Sequence, residues 1–139
     1  RPRGLAVTRD GATLFVTNEL DHSVSIVDTA QRAVRGTIAM PRDDDLPMGI
    51  AVAPNGGRIY VTTGRGGTLL AFDAVTRELV GETRVGARPW GVALSPDGRR
   101  AYTANGPSND VAVVDTETMT LVAAIPVGAR PWGAIVVEQ

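Results

Sequence analysis

An all-β fold of repeated four-stranded antiparallel blades, a β-propeller, is predicted for this chain by three observations. One pattern begins at Gly4, Gly49 and Gly91, and a fourth copy begins at Gly133 and stops early. In each full copy an aromatic residue follows the glycine by 11 positions and an aspartate follows it by 24. No stretch has the periodicity of an amphipathic helix, and a period of about 40 residues in a β-rich chain is typical of propeller blades.

The repeats predict one partial propeller over residues 1–139, with blades at about 1–45, 46–87 and 88–129 and a lone closing inner strand at 130–139. Three blades do not close a ring, and an inner strand alone implies that another part of a longer chain completes its blade. We therefore expect missing N-terminal blades of the same parent chain as a partner. The chain by itself would expose two apolar blade faces and a strand edge.

The first strand of each repeat is small and apolar, as expected for a strand near a crowded axis. Its copies are predicted at Gly4–Thr8, Gly49–Ala53 and Gly91–Ser95. Each copy runs into an Asp-Gly or Asn-Gly turn such as Asp97-Gly98. These dipeptides tolerate positive φ and predict a hairpin to the second strand.

The other three strands of each repeat follow in order. The second strand carries the aromatic residue, and its copies are predicted at Thr13–Asn18, Arg58–Thr63 and Arg100–Asn105. The third strand is rich in β-branched residues and is predicted at Ser23–Asp28, Thr68–Asp73 and Asp110–Asp115, whose terminal aspartates are expected to cap turns. The fourth strand is more polar, as expected at the outer edge, and is predicted at Ala33–Ala39, Glu78–Val85 and Thr120–Val127.

Composition excludes several classes of protein and of site. The chain has 14 basic and 15 acidic side chains and a net charge of -1, which disfavours nucleic acid and anionic membrane surfaces as partners. No apolar run approaches the length of a membrane span. The chain contains no cysteine, which excludes disulfides and thiolate metal sites.

The turns that lead from an outer strand into the next inner strand carry the main candidate site. Two of them read Arg-Pro-Trp-Gly, at Arg88–Gly91 and Arg130–Gly133. They are expected to lie on one face of the disc with the loops between second and third strands, where guanidinium and indole groups suit a carboxylate, a phosphate or a stacked ring. The candidate ligand-face residues are Arg3, His22, Arg65, Arg88, Trp90, Asn105, Arg130 and Trp132.

Each of these candidates also has a structural interpretation. Because the turn recurs in every repeat, its proline can fix the crossover, its glycine can permit close approach of blades, and its tryptophan can pack between them. This interpretation is favoured, although repeated arginines could serve both purposes. His22 is the sole histidine of the chain and could be a haem or metal ligand or a general base, but an exposed loop histidine without a partner is the favoured interpretation.

Two loops resemble ligand sites only superficially. The insertion Asp43–Asp45 could chelate calcium, but consecutive residues rarely converge on one ion, and Pro41 and Pro47 favour a solvated extended loop. The loop Gly64–Gly67 lacks the helix and the Lys-Ser/Thr pair of a phosphate-binding loop. No metal, cofactor or catalytic residue is therefore assigned from the sequence.

The second strands carry a family resemblance. Phe15–Asn18, Tyr60–Thr63 and Tyr102–Asn105 resemble the Tyr-Val-Thr-Asn signature of YVTN-type β-propeller repeats, and Arg88–Gly98 and Val111–Thr116 fit the same pattern. The resemblance covers essentially the whole chain. It implies a parent ring that is seven-bladed as a rule, and a periplasmic or extracellular location like that of surface-layer proteins.

The resemblance implies several functions without selecting one. Similar propellers include haem-bearing nitrite reductases, lactonases, and proteins found beside quinone-cofactor alcohol oxidation systems. The sequence of Thr103–Asp110 most resembles that of the last group. With few catalytic groups visible, the leading hypothesis is a non-enzymatic envelope scaffold that binds a protein, a surface polymer or a small ligand. The alternatives are a redox-associated propeller with a haem or quinone system, a propeller lactonase and, more weakly, a binder of single-stranded nucleic acid.

Overall fold

The structure is a computed structural model and describes residues 1–137, which form twelve β-strands and a short 3-10 turn at Glu19–Asp21. Blade 1 consists of β1 (Pro2–Val7), β2 (Thr13–Asn18), β3 (Ser23–Asp28) and β4 (Ala33–Ala39). Blade 2 consists of β5 (Pro47–Val52), β6 (Arg58–Thr63), β7 (Thr68–Asp73) and β8 (Leu79–Arg84). Blade 3 consists of β9 (Pro89–Leu94), β10 (Arg100–Asn105), β11 (Asp110–Asp115) and β12 (Thr120–Pro126).

Each blade is one antiparallel sheet with its strands in chain order, which confirms the predicted four-stranded repeat. The second and third strands of every blade have the predicted bounds. The inner strands differ, because they begin two residues earlier, at the proline, and end one residue earlier. Pro2 is paired with Asn18, and Thr8 leaves the strand to accept the amide of Gly11 in the hairpin turn.

Blade 2 is covered on both faces by its neighbours. Successive side chains along its strands point alternately towards blade 1 and towards blade 3. In β6, Ile59 and Val61 pack in the core shared with blade 1, and Tyr60 packs in the core shared with blade 3. Phe72 of β7 joins Ile59 in the first core. The hydrophobic core therefore lies between the blades rather than within any one sheet.

The outer faces of blades 1 and 3 have no such cover among the described residues. Ile38 and Thr83 are buried near the ends of β4 and β8, but the equivalent Ile125 of β12 is exposed. On the other side of the molecule Leu5 of β1 is exposed, and the equivalent Ile50 of β5 is buried. The outer strand is the most solvated strand in blades 2 and 3, as predicted, whereas in blade 1 the uncovered β1 is solvated to a similar degree.

Side-chain hydroxyls link the inner strands of neighbouring blades. The hydroxyl of Thr17 accepts the amide of Gly4 at 2.7 Å and donates to the carbonyl of Met48 on β5 at 2.7 Å. Thr62 occupies the same position in blade 2, where it accepts the amide of Gly49 at 2.8 Å and donates to the carbonyl of Trp90 at 3.4 Å. A threonine on the second strand therefore links β1 to β5 and β5 to β9.

The predicted lone closing strand at 130–139 has no partner strand among the described residues. Residues 131–137 lie beside β9, since Gly133 approaches Gly91, but they have no strand pairing, and residues 138 and 139 lie outside the described part of the chain. The described residues offer this segment no second strand to form a ladder with. In addition, Ala104 occupies the position of Thr17 and Thr62 in the other blades. No threonine hydroxyl at this position therefore reaches residues 131–137, which we call the tail.

Ala104→Thr is expected to tether the tail. The new hydroxyl would accept the amide of Gly91 and donate to the carbonyl of Trp132, as its equivalents do in blades 1 and 2, and one such bond contributes about 1 kcal/mol. Hydrogen exchange of the Gly133 and Ala134 amides should slow, and the thermal midpoint should rise. Ala104→Val is the matched control because it adds nearly the same shape without a hydroxyl; equal protection in both variants would contradict the prediction.

Within residues 1–137, no helix is long and apolar enough to cross a membrane.

Candidate functional site

The blade-to-blade linkers and the loops between second and third strands meet on one face, as predicted. The first amide of each such loop donates to a linker carbonyl at an equivalent place: Glu19 to Arg1, Gly64 to Leu46, and Gly106 to Arg88. This repeated hydrogen bond fixes each loop over the start of its own inner strand. Side chains of the linkers and loops are thereby brought together near the axis of the partial ring.

These segments enclose a pocket of about 160 Å³, which we call the arginine–tryptophan pocket. It is lined by Arg3, Glu19, Leu46, Met48, Gly64, Arg65, Arg88, Trp90 and Trp132. Five of the eight residues predicted for the ligand face line it, and they come from all three blades and the tail. The pocket therefore exists only because the inner strands lie side by side.

Most of the positive charge of the pocket is free to meet a ligand. Glu19 accepts the Nε–H of Arg3 at 2.6 Å and lies 3.1 Å from Nε of Arg1, and the bond from Arg3 lowers the pKa of the Glu19 carboxyl. Arg65 and Arg88 form no ion pair with any carboxylate among residues 1–137. The single carboxylate of the pocket is thus neutralised, and two guanidinium groups remain available.

The two tryptophans form the apolar side of the pocket. Their ring centroids are 4.5 Å apart with an interplanar angle of 39°. Trp90 is half-buried and packs over Gly106 of its own blade, where no side chain could be accommodated, rather than between two blades. Trp132 is 65% exposed and offers a ring face to solvent.

Three predicted ligand-face residues lie outside the pocket. Arg130 is exposed, and its amide donates to Oδ1 of Asn109. Asn105 must be removed from the ligand face because it is 0% exposed: its amide donates to the carbonyl of Val85 and to Asp110, which ties blade 3 to the end of blade 2.

His22 has a backbone role that explains its position. Its φ is 48°, in the left-handed region, and the equivalent residues Gly67 and Asn109 also have positive φ. Histidine is one of the residue types that tolerate this conformation, so His22 closes the loop before β3. No group of three or more histidine, aspartate or glutamate side chains able to hold a metal ion occurs among the described residues.

The insertion Asp43–Asp45 is solvated at Asp43 and Asp44, as predicted, but Asp45 is buried. Asp45 is 0% exposed and lies beneath Gly66, with the Nε of Arg42 at 3.0 Å from its Oδ2. Arg42 also binds Glu82 of β8 through both terminal nitrogens, at 2.7 and 3.1 Å. Burial raises the pKa of the Asp45 carboxyl, and the guanidinium of Arg42 opposes that rise.

The terminal aspartates of the third strands cap turns, as predicted. Asp73 accepts the amides of Val75 and Thr76, and Asp115 accepts those of Glu117 and Thr118. Sequence reasoning missed Glu19, Leu46 and Met48 as pocket residues. Their signal was their position, since Leu46 and Met48 occupy the places of Arg88 and Trp90 in their repeat.

Comparison with known proteins gives one family and several similar structures. The Cytochrome D1 heme domain family matches residues 9–133. The hydrazine synthase of Kuenenia stuttgartiensis is similar with a TM-score of 0.88 and 31% identity over 95% of this chain and 38% of that chain. None of the curated protein sequences matches the chain.

Two further structures share the fold. A functionally unknown protein from Desulfotomaculum acetoxidans DSM 771 has a TM-score of 0.81 and 24% identity over 95% of this chain and 44% of its own. A protein of Bacteroides fragilis NCTC 9343, named as a candidate 6-phosphogluconolactonase, has a TM-score of 0.81 and 21% identity over 95% of this chain and 40% of its own. The chain thus spans less than half the length of these similar proteins.

Proposed function

Because this chain belongs to the Cytochrome D1 heme domain family, we propose that it is part of a ligand-binding propeller that holds a flat, anionic molecule of the haem class at the arginine–tryptophan pocket. The observation that carries the proposal is that Arg65 and Arg88, which form no ion pair within residues 1–137, lie beside the exposed ring of Trp132. The described residues supply binding groups and no nucleophile–base pair, so the proposed role is that of a binding scaffold.

The fit of a haem to this pocket is partial. A volume of about 160 Å³ is smaller than the 300–1,000 Å³ usual for pockets that enclose a ligand. It can therefore receive an edge of a porphyrin and its carboxylates, but not the whole macrocycle. His22 does not line it, and the thioether of Met48 packs against Gly64, so no iron ligand is assigned and no step through iron is derived.

Different residues of the pocket would contact different parts of the ligand. Guanidinium groups donate paired hydrogen bonds to a carboxylate, so Arg65 and Arg88 suit the acidic edge of the ligand. The indole of Trp132 can stack against a flat ring system. Glu19 orients Arg3 and would not repel the ligand strongly, because its charge is already met by two arginines.

Titration with ferric haem while tryptophan fluorescence is recorded tests the proposal. Since both tryptophans of the chain line the pocket, saturable quenching is expected. Replacing both Arg65 and Arg88 by glutamine should weaken binding by about tenfold or more, as loss of charge-assisted hydrogen bonds does. The dimethyl ester of protoporphyrin, which lacks free carboxylates, should bind wild-type protein more weakly than protoporphyrin does.

Arg99→Gln is the matched control because Arg99 is an exposed arginine on the opposite face. It should leave haem binding unchanged. The absence of saturable quenching, or equal weakening by Arg99→Gln, would overturn the proposal. The YVTN-type repeat assignment and the periplasmic or extracellular location remain predictions that rest on the sequence resemblance.

A further inference from the structure

A second concave site lies between blades 2 and 3, on the face opposite the arginine–tryptophan pocket. We call it the acidic cleft, and its volume is about 450 Å³. Its polar walls come from Arg58, Tyr60 and Asp73 of blade 2 and from Asp97, Thr116 and Glu117 of blade 3. The side chains carry one positive and three negative charges, so the cleft has an excess of negative charge.

The repeat supplies an internal comparison for this cleft. The equivalent positions between blades 1 and 2 are Thr13, Phe15, Asp28, Asn55, Ala74 and Val75. Five of the six are therefore uncharged there, and only one is charged. At the rim the difference is reversed, because blade 1 has the charged residues Arg9 and Asp10 where blade 2 has the uncharged Pro54 and Asn55. Both interfaces build the same fold, so a charge at the positions of Arg58 and Glu117 is not required by the architecture.

Tyr60 is the clearest case of a polar group that the fold does not need. The residue is 2% exposed, and its ring packs in the core between blades 2 and 3. The residue lines the cleft, and its hydroxyl is not among the buried polar atoms that lack a partner, so it opens onto the cleft without a hydrogen bond to another described residue. The equivalent Phe15 fills the same place in blade 1 without a hydroxyl, at the same 2% exposure. A hydroxyl that opens onto the cleft from a buried ring is a donor available to a ligand there.

Arg58 is likewise without a carboxylate partner. In blade 3 the equivalent Arg100 forms an ion pair with Asp115, with 2.5 Å between nitrogen and oxygen. Arg58 instead donates from Nη1 to the carbonyl of Thr116 across the interface, at 3.2 Å, and makes no ion pair within residues 1–137. Its remaining N–H groups are available to an anionic group in the cleft.

Hydrogen bonds favour the ionised form of two carboxylates of the cleft, those of Asp73 and Asp97. An amide hydrogen bond from Thr76 lowers the pKa of Asp73, and a hydroxyl hydrogen bond from Ser95 lowers the pKa of Asp97. Each of these aspartates uses Oδ1 in its turn and leaves Oδ2 without a partner of its own. Glu117 makes no ion pair among the described residues. The cleft thus presents an unpaired cation and unpaired anions side by side.

We propose that the acidic cleft binds a small zwitterion of the amino-acid class, with its carboxylate on Arg58 and Tyr60 and its ammonium group on Asp97 and Glu117. A guanidinium and a phenol hydroxyl are the donors that a carboxylate requires, and the two acidic side chains are the acceptors that an ammonium group requires. The excess negative charge of the cleft favours a zwitterion that carries a further positive group.

Isothermal titration calorimetry with L-lysine tests this site, with cadaverine as the comparison because it lacks the carboxylate. Wild-type protein should bind lysine more tightly than cadaverine. Arg58→Gln should weaken lysine by about tenfold or more but should not weaken cadaverine, because it removes a charge of the same sign as the ammonium groups, whereas Glu117→Gln should weaken both. Tyr60→Phe should weaken lysine without loss of thermal stability, since Phe15 shows that the ring alone is accommodated.

Arg100→Gln is the matched control, because it removes the same charge from the equivalent position outside the cleft. It should leave lysine binding unchanged. Cadaverine binding as tight as lysine binding would show a plain cation site and overturn the proposal. Undetectable lysine binding at millimolar concentration, with the variants folded, would overturn it as well.

Discussion

Gly49→Ala is expected to destabilise the protein by about 3 kcal/mol, at the upper end of what overpacking a close contact costs. A methyl group on Gly49 would lie 2.6 Å from the carbonyl oxygen of Trp90 and 3.1 Å from the Cα of Gly91. Both atoms belong to the backbone of the next inner strand, so no side chain can rotate away. The clash is relieved only if blade 3 moves outward. That movement would also lengthen the hydrogen bond from the hydroxyl of Thr62 to the carbonyl of Trp90.

Urea and thermal unfolding measure this effect, and a fall of about 10 °C in the midpoint is the expected scale for a domain of this size. Gly128→Ala is the matched control, since nothing lies within 4 Å of the position its methyl group would take. The control should unfold with the wild type. A Gly49→Ala variant as stable as Gly128→Ala would contradict the close-approach argument.

Arg42→Ala is expected to cost about 2 kcal/mol at neutral pH, because it leaves the buried carboxylate of Asp45 without its counter-charge. The cost should depend on pH. Burial already raises the folded-state pKa of Asp45 above its unfolded value, and loss of Arg42 would raise it further. The folded state then binds the proton more tightly, so stability is greatest below the unfolded pKa of about 3.9 and falls as pH rises through the folded-state pKa.

Denaturant unfolding of Arg42→Ala and wild type at several pH values between about 4 and 8 measures this dependence. The difference in free energy between them should be small at the acid end and grow towards neutral pH. Adding Asp45→Asn to Arg42→Ala should remove the extra pH dependence, because an amide does not ionise. Asp44→Asn, at an exposed neighbour, should behave as wild type. An equal loss at every pH would contradict the prediction.

The repeat pattern predicted most of the fold because its turn residues act locally. Asp97 accepts the amide of Arg99 and Gly98 has positive φ, so residues two apart fix the hairpin. The second and third strands lie between such turns and could be bounded from the sequence. The start of each inner strand could not, because pairing of Pro2 with Asn18 depends on how far the ladder extends.

The sequence predicted which loops form the candidate site, but not which of the predicted residues are buried. Arg65, Arg88 and Trp132 lie at the pocket because the loop topology brings them to one face. Asn105 and Asp45 could not be placed, since their burial depends on groups distant in sequence: the carbonyl of Val85 for one and the loop at Gly66 for the other. The acidic cleft was not predicted, because only the assembled interface between blades brings its polar groups together.

The cover of blade 2 on both faces has a consequence for how the molecule opens. In a linear array, each unit gains stability from every neighbour it touches, so units with two neighbours exchange their amide protons most slowly. The amides of Tyr60 and Leu70 should therefore be the slowest to exchange. Protection from hydrogen exchange should decline from blade 2 towards blades 1 and 3. The decline should be steeper towards blade 3, because residues 131–137 have neither strand pairing nor a hydrogen bond from a threonine hydroxyl. The middle repeat is thus the cooperative centre of this chain, and local unfolding is expected to begin at residues 131–137.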